Sequence, residues 1–155
     1  MALWLALALL LQIEVLHFLR WHGAQLSLVL VVVVWYAIGS EPRTAALIGL
    51  AAGACEDLLG AQTGGAWTIS TTLTALAASL AARGFFTDSV ALTAGIAAAC
   101  TLLRRLLFWI VMSLQGYPAG FASLHFHQAL WEAAINTAFV IAFMAALRLR
   151  AASRR

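Results

Sequence analysis

Residues 47–70 read LIGLAAGACEDLLGAQTGGAWTIS, and this stretch decides what kind of fold the chain can adopt. Its first half is an apolar helix candidate with Gly49 and Gly53 four apart. Two adjacent acids, Glu56 and Asp57, follow, and then a glycine turn through Gly60, Gly64 and Gly65. Glycines at this spacing let a second helix approach closely, so Gly49, Gly53, Gly60, Gly64 and Gly65 are expected to form an interface with another helix of the chain or of a partner. Carboxylates inside an apolar segment are costly, so each needs a partner or a task. At about 100° per residue, Gly49, Gly53, Glu56 and Gly60 share one narrow stripe, with Asp57 on its flank. The stretch reads as a helical hairpin, or as one long helix broken at Gly64 and Gly65.

The surrounding chain has 155 residues, 64% of them hydrophobic and only 10% charged. Soluble domains are about one quarter charged, so the composition marks an integral membrane protein. The connections are too short to hold a second domain, and residues 1–155 read as a single transmembrane domain. The net charge of +3 does not imply nucleic-acid binding, because the basic residues sit at segment ends and form no stripe. All nine of them are arginine. Cys55 and Cys100 fall in separate apolar segments without CxxC or Cys/His spacing, so they read as buried thiols, and neither a metal nor a cofactor is expected.

Apolar run length, set against the roughly 20 residues a bilayer requires, predicts an all-α bundle of six transmembrane helices. The spans are approximately 2–19, 25–39, 43–59, 66–82, 89–114 and 123–147. The first lacks the basic leader of a cleavable signal and reads as a retained helix. The second has no charge and ends at Glu41-Pro42-Arg43, where proline suits the first turn of the next helix. The fourth carries Thr71, Ala75, Ser79 and Ala82, which suits close packing.

Arginine placement supplies an orientation. With six spans both termini share a side, and Arg43, Arg83, Arg148, Arg150, Arg154 and Arg155 all fall on it, against Arg20 alone opposite. Positive charge collects on the cytoplasmic side, so both termini are expected there. Glu14, Glu56, Asp57, Arg104, Arg105, His125, His127 and Glu132 then fall in the outer half of the membrane. At 1.5 Å per residue they could converge in a layer roughly 10 Å thick. His125, Glu132 and Asn136 share a face of the last helix, while His127 points away. Glu14 and His17 are helical neighbours. An arginine near Glu56, Asp57 or Glu132 would satisfy both signs. Arg104 is expected to face inward rather than Arg105, because Thr93, Ala97 and Thr101 continue its stripe. The ordinary reading of such a pair is structural.

Residues 49–79 also carry a resemblance. A GxxxG helix, then Asp-Leu-Leu, a short gap, a glycine and a threonine- and alanine-rich helix is similar to MreD, the family of rod-shape-determining membrane proteins. Gly49, Gly53, Asp57, Leu58, Leu59 and Gly64 or Gly65 occupy corresponding places. The chain departs from the family pattern in Glu56 before the aspartate, in the missing proline before the second glycine, and in Arg104-Arg105. The resemblance favours Asp57 as the important acid, whereas the helical stripe favours Glu56. It implies a non-enzymatic scaffold of the cell-elongation and peptidoglycan-synthesis machinery in the bacterial inner membrane. Its partners would be a bitopic MreC-like protein, a RodA-like glycosyltransferase, a penicillin-binding transpeptidase and an MreB-like filament, with membrane lipid around it.

The resemblance further implies a fold similar to the substrate-binding components of energy-coupling-factor vitamin transporters, which supplies an alternative function. In that reading the outer polar cluster is a solute pocket, and Ala2 and Ala6 belong to a docking surface for a transporter partner. A third reading, an intramembrane hydrolase using Glu56, Asp57, His125 and His127, lacks an HExxH motif and convergent geometry.

Overall fold

The computed structural model describes residues 7–8, 10–12, 24, 26–60, 63–83 and 89–152. Residues 7–8 and 10–12 are helical. They are followed by α1 (Leu28–Ile38), α2 (Pro42–Gly60), α3 (Ala66–Ala82) and α4 (Val90–Leu114), then a 3-10 turn (Ala119–Phe121) and α5 (Ala122–Ala152). Every element among the described residues is helical, and α2 and α3 are separate helices. Gly64 and Gly65 take φ of +52° and +86° in the turn between them, a region that side-chain-bearing residues rarely adopt.

Among the described residues, two helices are long and apolar enough to cross a membrane, Val90–Leu114 and Ala122–Arg150. The 25 residues of α4 reach about 37 Å, more than the roughly 30 Å of a hydrocarbon core. By contrast, the 11 residues of α1 cover only about 16 Å. The span expected at 25–39 is therefore shorter as a helix, and the reason lies at Ser27. Its hydroxyl accepts from the Leu30 amide at 3.4 Å, which makes it an N-cap and not a helical residue. Two more amides at this end are met by side chains from elsewhere. Val29 donates to Gln12 Oε1 at 3.1 Å, and Ser27 donates to Asn136 Oδ1 at 2.9 Å. A helix that starts inside the protein thus leaves none of these three donors bare.

Contacts along the helices set their directions. Thr71 meets Arg104 and Trp67 meets Phe108, so α3 and α4 run antiparallel. Thr101 meets Asn136 and Trp109 meets Phe126, so α4 and α5 do as well. In contrast, Ser27 meets Asn136 and Trp35 meets Phe143, which makes α1 and α5 parallel. The main core gathers Val29, Leu30, Val33, Val34 and Ala37 of α1 against Ala45, Ile48 and Ala52 of α2, Ala75 and Ala78 of α3, and Ile96 and Cys100 of α4. An apolar α1 is therefore covered by small side chains from its neighbours.

The tightest approach is between α2 and α3. A Cβ on Gly49 would lie 2.7 Å from the Thr71 carbonyl oxygen, and one on Gly53 would lie 2.6 Å from the Thr68 Cα. Both obstacles are backbone or sit on it, so the helices would have to separate. Gly95 on α4 is different, since a Cβ there meets nothing within 4 Å. Gly53→Ala is expected to destabilise the protein by about 1–3 kcal/mol through overpacking. Gly95→Ala should leave stability unchanged or slightly raised. Thermal unfolding of both variants in detergent checks the contrast.

Candidate functional site: a buried charge cluster

Arg104 lies 15 residues into α4, on the face that continues through Thr93, Ala97 and Thr101, and only 1% of its surface is exposed. Its guanidinium makes three contacts with three other elements. Nη2 donates to the Glu56 carboxylate of α2, Nε to the Thr71 hydroxyl of α3 at 3.0 Å, and Nη1 to the Ser27 hydroxyl at the start of α1 at 3.0 Å. The guanidinium carbon also sits 4.4 Å from the centre of the Trp67 ring. A planar fork of five donors can serve partners in several directions, which an ammonium on a flexible stem cannot do as rigidly. Asn136 brings in α5, donating to Thr101 Oγ1 at 3.1 Å while accepting from the Ser27 amide.

Arg105, one residue on, turns to the other side and pairs with Glu132 of α5 through Nε and Nη2. His125 reaches back from α5 to the Arg105 backbone carbonyl at 3.2 Å, so its Nε2 carries the proton. Trp67 stacks on Phe108 at 4.0 Å, and Phe108 faces His125 at 5.9 Å. Two arginines of opposite facing thus share one indole, with Arg105 at 5.7 Å from its centre.

Asp57 has a different task. Its carboxylate accepts from the Trp67 amide at 3.1 Å, the Thr68 amide at 2.8 Å, and the hydroxyls of Thr68 and Thr63, both at 2.5 Å. The N-cap residue of α3 is Gly65, which has no side chain to offer. Asp57 supplies the missing cap from the neighbouring helix, where a negative charge also complements the helix dipole. The sequence stripe centred on Glu56 therefore resolves into two uses. Packed helices meet along ridges of every fourth residue, and such a ridge drifts around the helix. Gly49, Gly53 and Asp57 lie on it and face α3; Glu56 stands beside it and faces Arg104.

The remaining expected residues are placed as follows. A Cβ on Gly60 would touch only the Thr63 side chain, at 3.5 Å, and one on Gly65 would meet nothing within 4 Å. The Gly64 carbonyl accepts from Gln115 Nε2 at 3.0 Å, joining the turn before α3 to the end of α4. His127 accepts from Trp131 Nε1 at 3.1 Å on the exposed side of α5. Cys100 is buried, but Cys55 is exposed, because it lies on the side of α2 away from the glycines. Both cysteines are free thiols. Glu14 and His17 lie outside the described residues. Among the described residues no three His, Cys, Asp or Glu side chains are placed to hold a metal ion. Ser27 and Trp67 had not been singled out from the sequence. Ser27 carried a legible signal, a serine just before a long apolar run; Trp67 carried none.

Taken together, the helices and their paired charges define an α-helical membrane protein whose arginines and acids cross-link its own segments. The chain belongs to the MreD family: the model for rod shape-determining protein MreD matches residues 1–150. No curated protein and no solved structure matches it. Family membership gives the chain a role in determining rod shape.

Asp57→Ala should lose the cap of α3 and destabilise the protein by about 0.5–2 kcal/mol. Asp57→Asn keeps one accepting oxygen and should fall between the two. Arg104 is not a partner of Asp57, so the loss should be the same in an Arg104→Met background. Chemical denaturation of the wild type, the three single variants and the Asp57→Ala/Arg104→Met double variant in detergent micelles measures this.

Proposed function

We propose that the chain is a non-enzymatic scaffold of the cell-elongation machinery, a six-span bundle in the bacterial inner membrane with both termini in the cytoplasm. The family match over residues 1–150 is the observation that carries this reading. Its partners are then an MreC-like bitopic protein and, around it, RodA-like glycosyltransferase, penicillin-binding transpeptidase and MreB-like filament. The orientation is supported by where the described arginines lie. Arg43 follows the end of α1, Arg83 the end of α3, and Arg148 and Arg150 close α5. These three helices run the same way, as Ser79 donating to the Ser40 carbonyl at 2.7 Å and the α1–α5 contacts indicate. The turns at the opposite end, 63–65 and 115–118, carry no charge.

As a scaffold, the bundle has to hold its shape while partners dock on its outside. Arg104 with Glu56 and Arg105 with Glu132 supply that internal bracing, and Gly49 and Gly53 are covered by α3. Partner contacts therefore fall on outward residues such as Leu47, Leu50 and Leu58, and not on the glycine face. A solute-binding transporter component would need the polar cluster open to a ligand, whereas these four side chains are engaged with one another.

A tag on the cytoplasmic tail, gentle solubilisation of native membranes and mass spectrometry of the captured proteins test this reading. Recovery of MreC-like and RodA-like proteins is the expected result. Recovery of paired ATPase subunits with a transporter protein would overturn it.

A further inference from the structure

The helices differ in length, and the difference divides the bundle into a long side and a short side. On the long side α4 and α5 have 25 and 31 residues, about 37 and 46 Å. On the short side α2 and α3 have 19 and 17, about 28 and 25 Å. The pairing of Thr71 with Arg104 and of Trp67 with Phe108 fixes how α3 lies along α4. In this register Ala66 stands level with Trp109, and Ala82 with Thr93. The fourth helix therefore overhangs α3 by about five residues, roughly 8 Å, at the end near the Gly64–Gly65 turn, and by about three at the other.

The side chains that face outward follow the same division. Large apolar residues are exposed on α5 from Leu124 to Leu147, about 34 Å along the helix. On α4 the exposed row Leu102, Leu106, Ile110 and Leu114 continues to the last residue. On α2 such residues run only from Leu47 to Leu59 and on α3 from Ile69 to Leu80, about 18 and 16 Å. Arg43 and Arg83, both exposed, stand beyond these rows at one end, and the turn of Thr63, Gly64 and Gly65 at the other. Tilting fits a long helix into a thinner hydrocarbon layer, but it only shortens the reach of a helix that is already too short. A layer about 30 Å thick would therefore cover the 63–65 turn, and irregular backbone facing lipid does not occur at that depth.

We propose that the bilayer is thinned where it meets α2 and α3, so that the collar of lipid around the protein is thinner on this side than along α4 and α5. The partner is the lipid layer itself, matched by thickness and not by headgroup. The short side sets the amount. From Arg43 to Leu59 is about 24 Å of helix, about 6 Å less than a typical hydrocarbon core. A short span is met by thinning of the bilayer around it, and the long helices next to it confine that thinning to one side. The proposal rests on the six-span reading, in which α2 and α3 cross the membrane, and requires none of the scaffold's partners.

The test is a depth measurement on the full chain, carrying Cys55→Ser and Cys100→Ala and reconstituted in dimyristoleoyl, dioleoyl or dierucoyl phosphatidylcholine. Nitroxide labels on Leu59→Cys of α2 and Ile110→Cys of α4 report depth through collisions with oxygen and with a nickel chelate. In dioleoyl phosphatidylcholine the Leu59 label should lie at the polar boundary, and not about 6 Å below it as in a flat layer of about 30 Å. It should stay there as the acyl chains lengthen, while the Ile110 label sinks. Leu58→Cys, more exposed still, takes the place of Leu59→Cys should that variant not fold. A Leu59 label that sinks in step with Ile110 would overturn the thinning. Separately, an impermeant maleimide applied to spheroplasts should label Gly60→Cys and not Arg83→Cys. Labelling of Arg83→Cys instead would overturn the six-span reading, and the proposal with it.

Discussion

A guanidinium inside an apolar bundle dictates much of what surrounds it. Arg104 is closed off from solvent, and a buried charge is tolerable only when an opposite charge and further hydrogen bonds meet it. Glu56 supplies the charge, and the hydroxyls of Thr71 and Ser27 take the remaining directions. Each of these residues has to be brought to one point from a different helix, so the pairing sets the relative heights of α1, α2, α3 and α4. It also explains why α1 begins where it does. Ser27 cannot be an interior helical residue while its hydroxyl caps the helix and receives Arg104, and its amide donates to Asn136. A lipid-like run of valines is thus made into a short helix anchored at the charged centre.

The second constraint is steric and lies next to the first. Gly49 and Gly53 let α2 and α3 touch backbone to backbone, and Asp57 continues the same ridge as a cap for α3. Close contact and capping depend on one another. With a bulkier ridge the carboxylate would stand too far from the Trp67 and Thr68 amides, and without the carboxylate those half-buried amides would lose their partner at the helix start. Glu56 and Asp57 are neighbours in sequence with separate tasks, one electrostatic between helices and one local to a helix end. A bundle braced in both ways holds the relative positions of its helices fixed from the inside.

Several of these features were legible in the sequence because they depend on composition and period. The apolar runs, the turn at Pro42, the glycine spacing and the arginine bias follow from the chain alone. The 3.6-residue period also marked the Arg104 face, since Thr93, Ala97 and Thr101 share it. The division of labour between Glu56 and Asp57 was not legible. An ideal helical projection puts Glu56 nearest the glycines, whereas the contact ridge follows every fourth residue and reaches Asp57. Ser27 was overlooked because a single hydroxyl at the edge of an apolar run looks like a boundary and not a ligand. Cys55 was read as buried because apolar neighbours surround it in sequence; in a membrane protein such neighbours face lipid as often as core.

The central claim is that Arg104 and Glu56 act as one unit that holds the helices in place. A double-mutant cycle in detergent measures it most directly, with unfolding free energies for Arg104→Met, Glu56→Met and the pair. Each single change leaves a buried charge without its partner and should cost about 3–5 kcal/mol. The double change removes both charges and should cost markedly less than the sum, with a coupling of about 2 kcal/mol or more. Single costs that simply add would contradict the account, because they would mean that the two side chains stabilise the bundle independently.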